Sequence, residues 1–247
     1  MTWGSYGIVH FVSLAAAALL LVGLYFLLKR FSQKVQLAVL GVLSFAGIAA
    51  IIYNLVTWGA PLEYLPLHLC SINAILLPIV VFTRSKVLGN LLLVWCLGAL
   101  AALIMNQQMT DAVLFDWPFN FFYFLHVLEF GIPLILFKLG LIKKDYRCIG
   151  STLVLTMVIY TLIHFANVLI NSYCMSSGIS YNGVDIVQVN YMFSITPSNP
   201  LLALFYQVIP CEYWFMYMVV PIVAVYLLIV YAPQIIGDLR KRKQTVG

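Results

Sequence analysis

Charged residues are scarce in this chain: of its 247 residues only 9% are charged, whereas 64% are hydrophobic, and the mean hydropathy is +1.03. A soluble domain carries about a quarter charged residues, so the composition excludes a soluble globular protein and predicts a membrane protein along the whole length. Lys and Arg are absent from every second gap between the apolar segments. The net charge of +5 is spread over the remaining gaps, which excludes a basic patch for nucleic acid.

Other missing features exclude further classes. The last apolar segment has no lysine, which excludes an opsin with a retinal Schiff base, and no HExxH metal motif occurs. Met1–Tyr6 has no basic residue and the first apolar segment is long, so we expect no cleavable signal peptide. Among the five cysteines, Cys174 and Cys211 are a candidate disulfide, although spacing alone cannot set connectivity.

Seven apolar segments approach or exceed the length of about 20 residues with which a helix crosses a bilayer. They cover residues 7–28, 35–57, 66–82, 87–106, 119–137, 148–171 and 204–231. All thirteen Lys and Arg residues fall in alternate gaps, and the positive-inside rule assigns those gaps to the cytoplasm. We therefore predict an all-α, single-domain bundle of seven transmembrane helices in the cell membrane. Its N-terminus and its long loop 172–200 lie outside, and its C-terminus is cytoplasmic.

This topology gives every polar residue a depth in the bilayer. All four histidines fall in the outer half: His10, His68, His126 and His164. Helical spacing places Glu129 on the face of His126, and Asn167 and Asn171 on the face of His164. Polar bonding between helices explains any one of these residues. A water-accessible outer cavity explains why the whole set favours one leaflet, because polar groups in hydrocarbon need a cavity or a partner.

The string Pro66–Ile72 (PLHLCSI), which follows Glu63, resembles the signature of the YwaF-type bacterial integral membrane proteins. Asn190–Phe193, followed by Pro197 and Asn199-Pro200, resembles the same family, so the resemblance covers essentially the whole chain. That family is similar to eukaryotic transmembrane protein 164, a multi-span acyltransferase that moves fatty acyl chains onto ether-linked phospholipids with a cysteine near an intramembrane histidine. The resemblance implies acyl transfer or lipid hydrolysis in the outer leaflet, with His68 in the histidine position.

Under this interpretation Cys70 is the candidate nucleophile, or His68 is the base for a hydroxyl or water. A regular helix points these two side chains about 200° apart, and a small, inert core residue is the alternative role for Cys70. His126 with Glu129 is a second base with its orienting partner, and His164 is a third wall of the site. Substrate-binding residues, among them a candidate oxyanion donor at Asn73, are predicted at polar outer positions: Asn73, Asn106, Asn167, Asn171, Asn190, Tyr191 and Glu212.

Two other functions remain open. A divalent metal such as zinc, held by His68, His126 and His164, would make the protein a metal-dependent intramembrane hydrolase, whereas the acyl chemistry needs no cofactor. An outer polar pocket also suits a non-enzymatic protein that binds or transports a lipid or small molecule. The expected partners are a phospholipid or acyl-chain substrate and, at the basic cluster Arg240–Lys243, anionic lipid headgroups.

Overall fold

The described part of the chain is built from α-helices. The computed structural model describes residues 6–105, 117–198 and 200–246, and these ranges contain no strand. Three short 3-10 helices lie at Tyr146–Cys148, Tyr191–Phe193 and Trp214–Met218. The α-helices are α1 (Ile8–Leu28), α2 (Gln33–Ser44), α3 (Ala46–Thr57), α4 (Leu69–Thr83), α5 (Lys86–Met105), α6 (Trp117–Lys138), α7 (Ile149–Ser177), α8 (Pro200–Val208) and α9 (Val219–Val246). The predicted all-α class is thereby confirmed for these residues.

Several segments of the described chain have the length and apolar composition of membrane spans. Five of them are Ile8–Leu28, Gln33–Thr57, Lys86–Met105, Tyr146–Ser177 and Trp214–Lys241. The second combines α2 and α3, and α4 is a shorter apolar helix. Many large apolar side chains of α1 are exposed, as expected for a helix that faces lipid. The chain is therefore a multi-pass membrane protein.

Several helix boundaries differ from the sequence prediction. α4 begins at Leu69 rather than near Pro66, and α7 continues to Ser177, so that the long loop begins later than predicted. The predicted last span 204–231 is divided, because α8 ends at Val208 and α9 begins at Val219. Pro210 lacks the N–H that a continuous helix would use, and Tyr213 has a left-handed φ of +65°.

α4 packs against α2, α3, α5 and α6, and its buried face fixes the position of its first turn. Leu77 and Val81 of α4 belong to the same buried cluster as Ile132 of α6. Between helices in lipid, association depends on van der Waals packing, and small residues let two backbones approach closely. Gly47 of α3 does this, since a Cβ there would lie 2.5 Å from the Cβ of Ala74.

The two ends of the bundle differ in charge. All Lys and Arg residues lie in the α1–α2, α4–α5 and α6–α7 connections, at the adjoining helix ends, or in the last turns of α9; we call this the basic end. The opposite end carries Glu63, Asp185 and Glu212 among the residues that the structure describes, and we call it the acidic end. The cysteines are all free. The candidate disulfide is therefore not formed: Cys174 is buried and Cys211 is exposed.

At the basic end, a buried asparagine links three segments of the chain. Asn90 of α5 donates from Nδ2 to the Lys86 carbonyl at 2.7 Å. Its Oδ1 accepts the Asp145 N–H at 3.2 Å and the hydroxyl of Tyr231 from α9. Lys86 forms an ion pair with Asp145. These bonds fix the α6–α7 connection against α5 and α9.

Candidate functional site at the acidic end

Cys70 lies in the first turn of α4. His68 occupies the N-cap position with extended backbone, at φ −72° and ψ 154°. The first N–H groups of a helix have no partner within the helix and form its positive end. The Cys70 thiol lies beside the N–H groups of its own residue and of Ser71, and beside the Ser71 hydroxyl. These donors would favour a thiolate or an oxyanion, whereas the burial of the thiol and the nearby Glu129 carboxyl oppose a thiolate.

Glu129 of α6 is an acidic residue near Cys70, and no hydrogen bond joins the two groups in the described chain. Its carboxyl is buried, with 6% of the residue exposed. It lies close enough to the thiol for their charges to interact. Its Oε2 atom has no hydrogen-bond partner among the described residues. A buried polar atom without a partner is costly and rare in a native protein, so this atom points to a function for the site.

His126 and Asn73 lie one helical turn from this pair. His126 is buried, and its Nδ1 lies 2.9 Å from the Phe122 carbonyl. A carbonyl can only accept, so Nδ1 carries the proton and Nε2 of the neutral ring is an acceptor. Asn73 donates to the Trp95 carbonyl at 3.3 Å, while its Oδ1 has no partner in the described chain.

The ring of His68 contacts the loop between α7 and α8 (residues 178–198, here the α7–α8 loop). Its centroid lies 5.1 Å from the ring of Tyr191 and 5.7 Å from that of Phe193. Within the described residues, His68 makes no hydrogen bond to Cys70. His68 therefore belongs to the wall formed with the loop, whereas Glu129 is the acidic residue near Cys70.

Two asparagines of α7 hold the loop by its backbone. Asn167 donates to the Tyr191 carbonyl at 2.8 Å and accepts the Tyr191 N–H at 2.9 Å. Asn171 makes the same pair of bonds with Val189, at 3.0 and 2.7 Å. The asparagines are one helical turn apart and their partners are two residues apart, so the side chains pair with the loop as a neighbouring strand would. The side chains of Asn167 and Asn171, which were predicted to bind substrate, thus form hydrogen bonds with the loop backbone.

Ser194 connects His164 to this arrangement. It is fully buried, and its Oγ lies 3.0 Å from His164 Nδ1 and accepts from Asn167 Nδ2 at 2.9 Å. Its carbonyl accepts the Tyr213 N–H at 2.8 Å. The two residues before Ser194 are left-handed, with φ of +50° at Met192 and +54° at Phe193. Such conformations cost energy for residues other than glycine and are concentrated at functional sites.

An open cleft lies between this loop and the segment before α4. Its volume is about 280 Å³, and its lining includes Glu63, His68, Gln188, Asn190, Phe193 and Ser198. The Tyr191 hydroxyl donates to the Leu62 carbonyl beside the cleft. Burial raises the pKa of Tyr191 to about 12, so this hydroxyl remains a donor at neutral pH.

The remaining predicted residues are not gathered in the cleft or at Cys70. Asn190 lines the cleft, but its amide donates to the Thr196 carbonyl at 2.8 Å and to the Ser198 hydroxyl at 3.1 Å. Glu212 is exposed near the start of the last span. Asn106 lies outside the described residues.

The predicted metal ligands are also separate. Within the described ranges, no three His, Cys, Asp or Glu side chains are grouped closely enough to hold a metal ion. His68 contacts Tyr191, His126 bonds to Phe122 and His164 bonds to Ser194. This arrangement gives no support to a metal centre at these histidines.

Sequence reasoning did not identify Ser194 or Tyr213 as site residues. Tyr213 bonds through its hydroxyl to Thr161 at 2.8 Å and to Tyr217 at 2.9 Å, next to the His164 ring. Both lie in irregular backbone, where helical periodicity gives no information. The nearest signal in the sequence was the short segment between Phe193 and Pro197, which contains Ser194.

Comparison with protein-family models gives one finding. Residues 5–231 match the model described as the TMEM164 family. Comparisons with curated proteins and with solved structures gave no significant match.

Proposed function

This chain belongs to the TMEM164 family, and from that membership and the geometry at the acidic end we propose that it is a membrane-embedded acyltransferase or hydrolase of phospholipids. The observation that supports this most directly is the position of Cys70 near Glu129. The thiol lies at the positive end of α4, next to a buried carboxyl with an unpartnered oxygen. Nucleophilic acyl chemistry needs such a thiol, a proton acceptor and hydrogen-bond donors for the oxyanion.

We propose a seven-span topology in the cell membrane, in which α4 and α6 cross the bilayer together with the five longer segments. α6 has 22 residues. α4 has only 15, and the turns before it complete the crossing. The charge asymmetry assigns the basic end to the cytoplasm and the acidic end to the outside. α8, with 9 residues, is too short to span and would lie in the outer interface.

In the proposed reaction, the Cys70 sulfur attacks the carbonyl carbon of a fatty ester, and the thiol proton passes to the Glu129 carboxylate. The ester C–O bond then breaks, and the departing lysolipid oxygen takes the proton from Glu129. An acyl thioester remains on Cys70. The hydroxyl of an acceptor lysolipid, or water, attacks this thioester and gives its proton to Glu129. The departing Cys70 sulfur then takes that proton back, and the free thiol is restored.

The other predicted residues take supporting roles in this proposal. His126 is assigned as a second base, because its Nε2 is an acceptor one turn from Glu129. His68 is assigned to the wall between the cleft and Cys70. Asn167 and Asn171 are positioning residues, since they fix the loop that carries Tyr191.

The basic cluster Arg240–Lys243 is proposed to bind anionic lipid headgroups. It lies on the last turns of α9, which continues beyond the predicted end of the span to Val246. Each basic residue near an anionic membrane surface contributes about 1 kcal/mol of attraction.

Mutating the proposed nucleophile and its proton acceptor tests the proposal. We expect Cys70→Ala to abolish acyl exchange between labelled phospholipid and lysolipid in proteoliposomes, and Glu129→Gln to slow it roughly a hundredfold. Cys96→Ala is the matched control, because it removes a buried thiol of α5 and should leave the rate unchanged. Full activity in both site variants would refute the mechanism. Lipid binding by the native protein without turnover would favour a non-enzymatic lipid-binding protein.

A further inference from the structure

The buried hydroxyl of Ser194 joins the α7–α8 loop to two side chains of α7. Its Oγ lies 2.9 Å from Asn167 Nδ2 and 3.0 Å from His164 Nδ1. The orientation of the Asn167 amide is fixed, because the Tyr191 N–H can only donate and therefore bonds to Oδ1. Asn167 Nδ2 thus faces Ser194 and donates to its Oγ, so the proton of the Ser194 hydroxyl must go to a different partner.

His164 Nδ1 is that partner, and this fixes the protonation state of the ring. Ser194 is fully buried, and its hydroxyl has no further partner in the described chain. The hydroxyl therefore donates to Nδ1, which must be the unprotonated nitrogen of a neutral imidazole. A protonated Nδ1 would instead donate to the Ser194 Oγ and leave the hydroxyl proton without an acceptor. A buried donor without a partner is costly, so the junction favours neutral His164.

Among the residues that the structure describes, His164 has no counter-ion. Its partly buried ring packs against the Tyr213 ring, with centroids 5.0 Å apart, and it forms no ion pair. The carboxylates on the surrounding elements are Glu63 before α4, Asp185 in the loop and exposed Glu212 before α9. The other titratable side chains packed in this region are those of Tyr160, Cys174, Tyr191, Tyr213 and Tyr217, with His68 beside Tyr191. Protonation of His164 therefore adds a positive charge that no carboxylate in contact offsets.

The backbone around Ser194 depends on this junction. Met192 and Phe193 are left-handed without being glycine, and such residues persist only where their surroundings hold them in place. The Ser194 carbonyl accepts the Tyr213 N–H at 2.8 Å, so the start of the last span is bonded to the same point. The Phe193 ring contacts His68, which precedes α4. Loss of the bond between Ser194 and His164 would therefore loosen the loop, the Tyr213 turn and the wall beside α4 together.

We propose that Ser194 and His164 form a pH-sensitive clasp, which holds the α7–α8 loop while His164 is neutral and releases the loop when His164 is protonated. Histidine is the side chain that ordinarily changes charge between about pH 5 and pH 8. The clasp is thus closed at neutral and alkaline pH and weakens as the pH falls. Control of acyl transfer by this clasp rests on the proposed function, because the loop forms the wall beside Cys70; the release of the loop does not.

Hydrogen exchange of the full chain in nanodiscs, at about pH 7.5 and about pH 5, tests the clasp. Exchange is compared with that of an unstructured peptide at the same pH, so that only protection by structure is measured. In the native protein, protection of the Tyr191 and Tyr213 amides should fall roughly tenfold at the lower pH. His164→Asn places a carbonyl oxygen near the position of Nδ1, where it accepts the Ser194 proton at both pH values. This variant should keep the protection and lose its pH dependence.

Three further variants complete the test. Ser194→Ala, which removes the clasp, should give low protection at both pH values, and it decides the matter if His164→Asn fails to fold. His10→Asn is the matched control, since it replaces a buried histidine of α1, and it should retain the native fall in protection. Cys70→Ala should also retain it, so a failed acyl-transfer test would leave this result intact. Equal native protection at both pH values, a fall that persists in His164→Asn, or native protection in Ser194→Ala would overturn the proposal.

Discussion

Among single residues, Asn167 makes the clearest contribution to the stability of the site. It is fully buried, and it bonds both backbone groups of Tyr191 and the Ser194 hydroxyl. Each buried group left without a partner costs about 1–3 kcal/mol. We therefore expect Asn167→Ala to lower the free energy of unfolding by about 2–4 kcal/mol, measured by thermal unfolding in detergent. Asn54→Ala is the control, because the Asn54 amide makes no hydrogen bond to the described residues, and equal losses in both variants would contradict this account.

The same residues show how far sequence could predict the site. The spacing of His164, Asn167 and Asn171 placed them on one face of a helix, and in the structure all three bond to the α7–α8 loop. Their partners could not be predicted, because they are the loop backbone and the Ser194 hydroxyl, which lie in irregular chain. The left-handed φ angles that turn Ser194 toward His164 occur at residues whose types give no signal for them.

The position of Glu129 near Cys70 could not be predicted from the sequence for a different reason. Helical spacing correctly argued against a contact with His68, two residues away, but it carries no information about which other helix lies opposite. Glu129 lies near the thiol because α4 and α6 pack together. A contact between two helices depends on their rotation in the bundle, and one sequence does not define this.

Among the elements, the 3-10 turn before α7 gives a prediction about pH. The Lys86 ammonium and the Arg147 N–H hold the pKa of Asp145 below its ordinary value of 3.8. A lowered carboxyl pKa stabilises the fold above that ordinary value, and this stabilisation is lost as pH falls through the lower, folded-state pKa. Asp145→Asn should therefore speed hydrogen exchange of the turn amides at neutral pH. Well below pH 3.8 the variant and the native protein should exchange alike.

Asp238→Asn is the matched control for this turn, because it removes a carboxylate of α9 that acts on Arg147 through its charge alone and makes no hydrogen bond to the turn in the described chain. It should leave the exchange of the turn largely unchanged. A constant difference between Asp145→Asn and the native protein at every pH would show that the turn depends on the shape of the side chain and not on its charge.

At the scale of the whole molecule, charge and hydropathy predicted the helical class. The length and the prolines of the last segment allowed a kink or an interfacial start, but they did not predict two separate helices, α8 and α9. The apolar run that contains Pro210 and Tyr213 has the composition of one continuous helix. The break instead follows from the missing proline N–H and from the left-handed turn at Tyr213, whose N–H bonds to Ser194. The end of the span is thus bent by the same loop that forms the site.

The proposed orientation of the whole bundle can be tested with a native cysteine. Cys211 is exposed at the acidic end, and the other four cysteines are buried or partly buried. A membrane-impermeant maleimide added to intact cells should therefore label the native protein, and Cys211→Ser should remove that labelling. Lys143→Cys, built on Cys211→Ser, places a thiol at the exposed basic end and should react only after the cells are permeabilised. The reverse pattern would place the acidic end in the cytoplasm, and the proposed outer-leaflet site would then face the wrong side of the membrane.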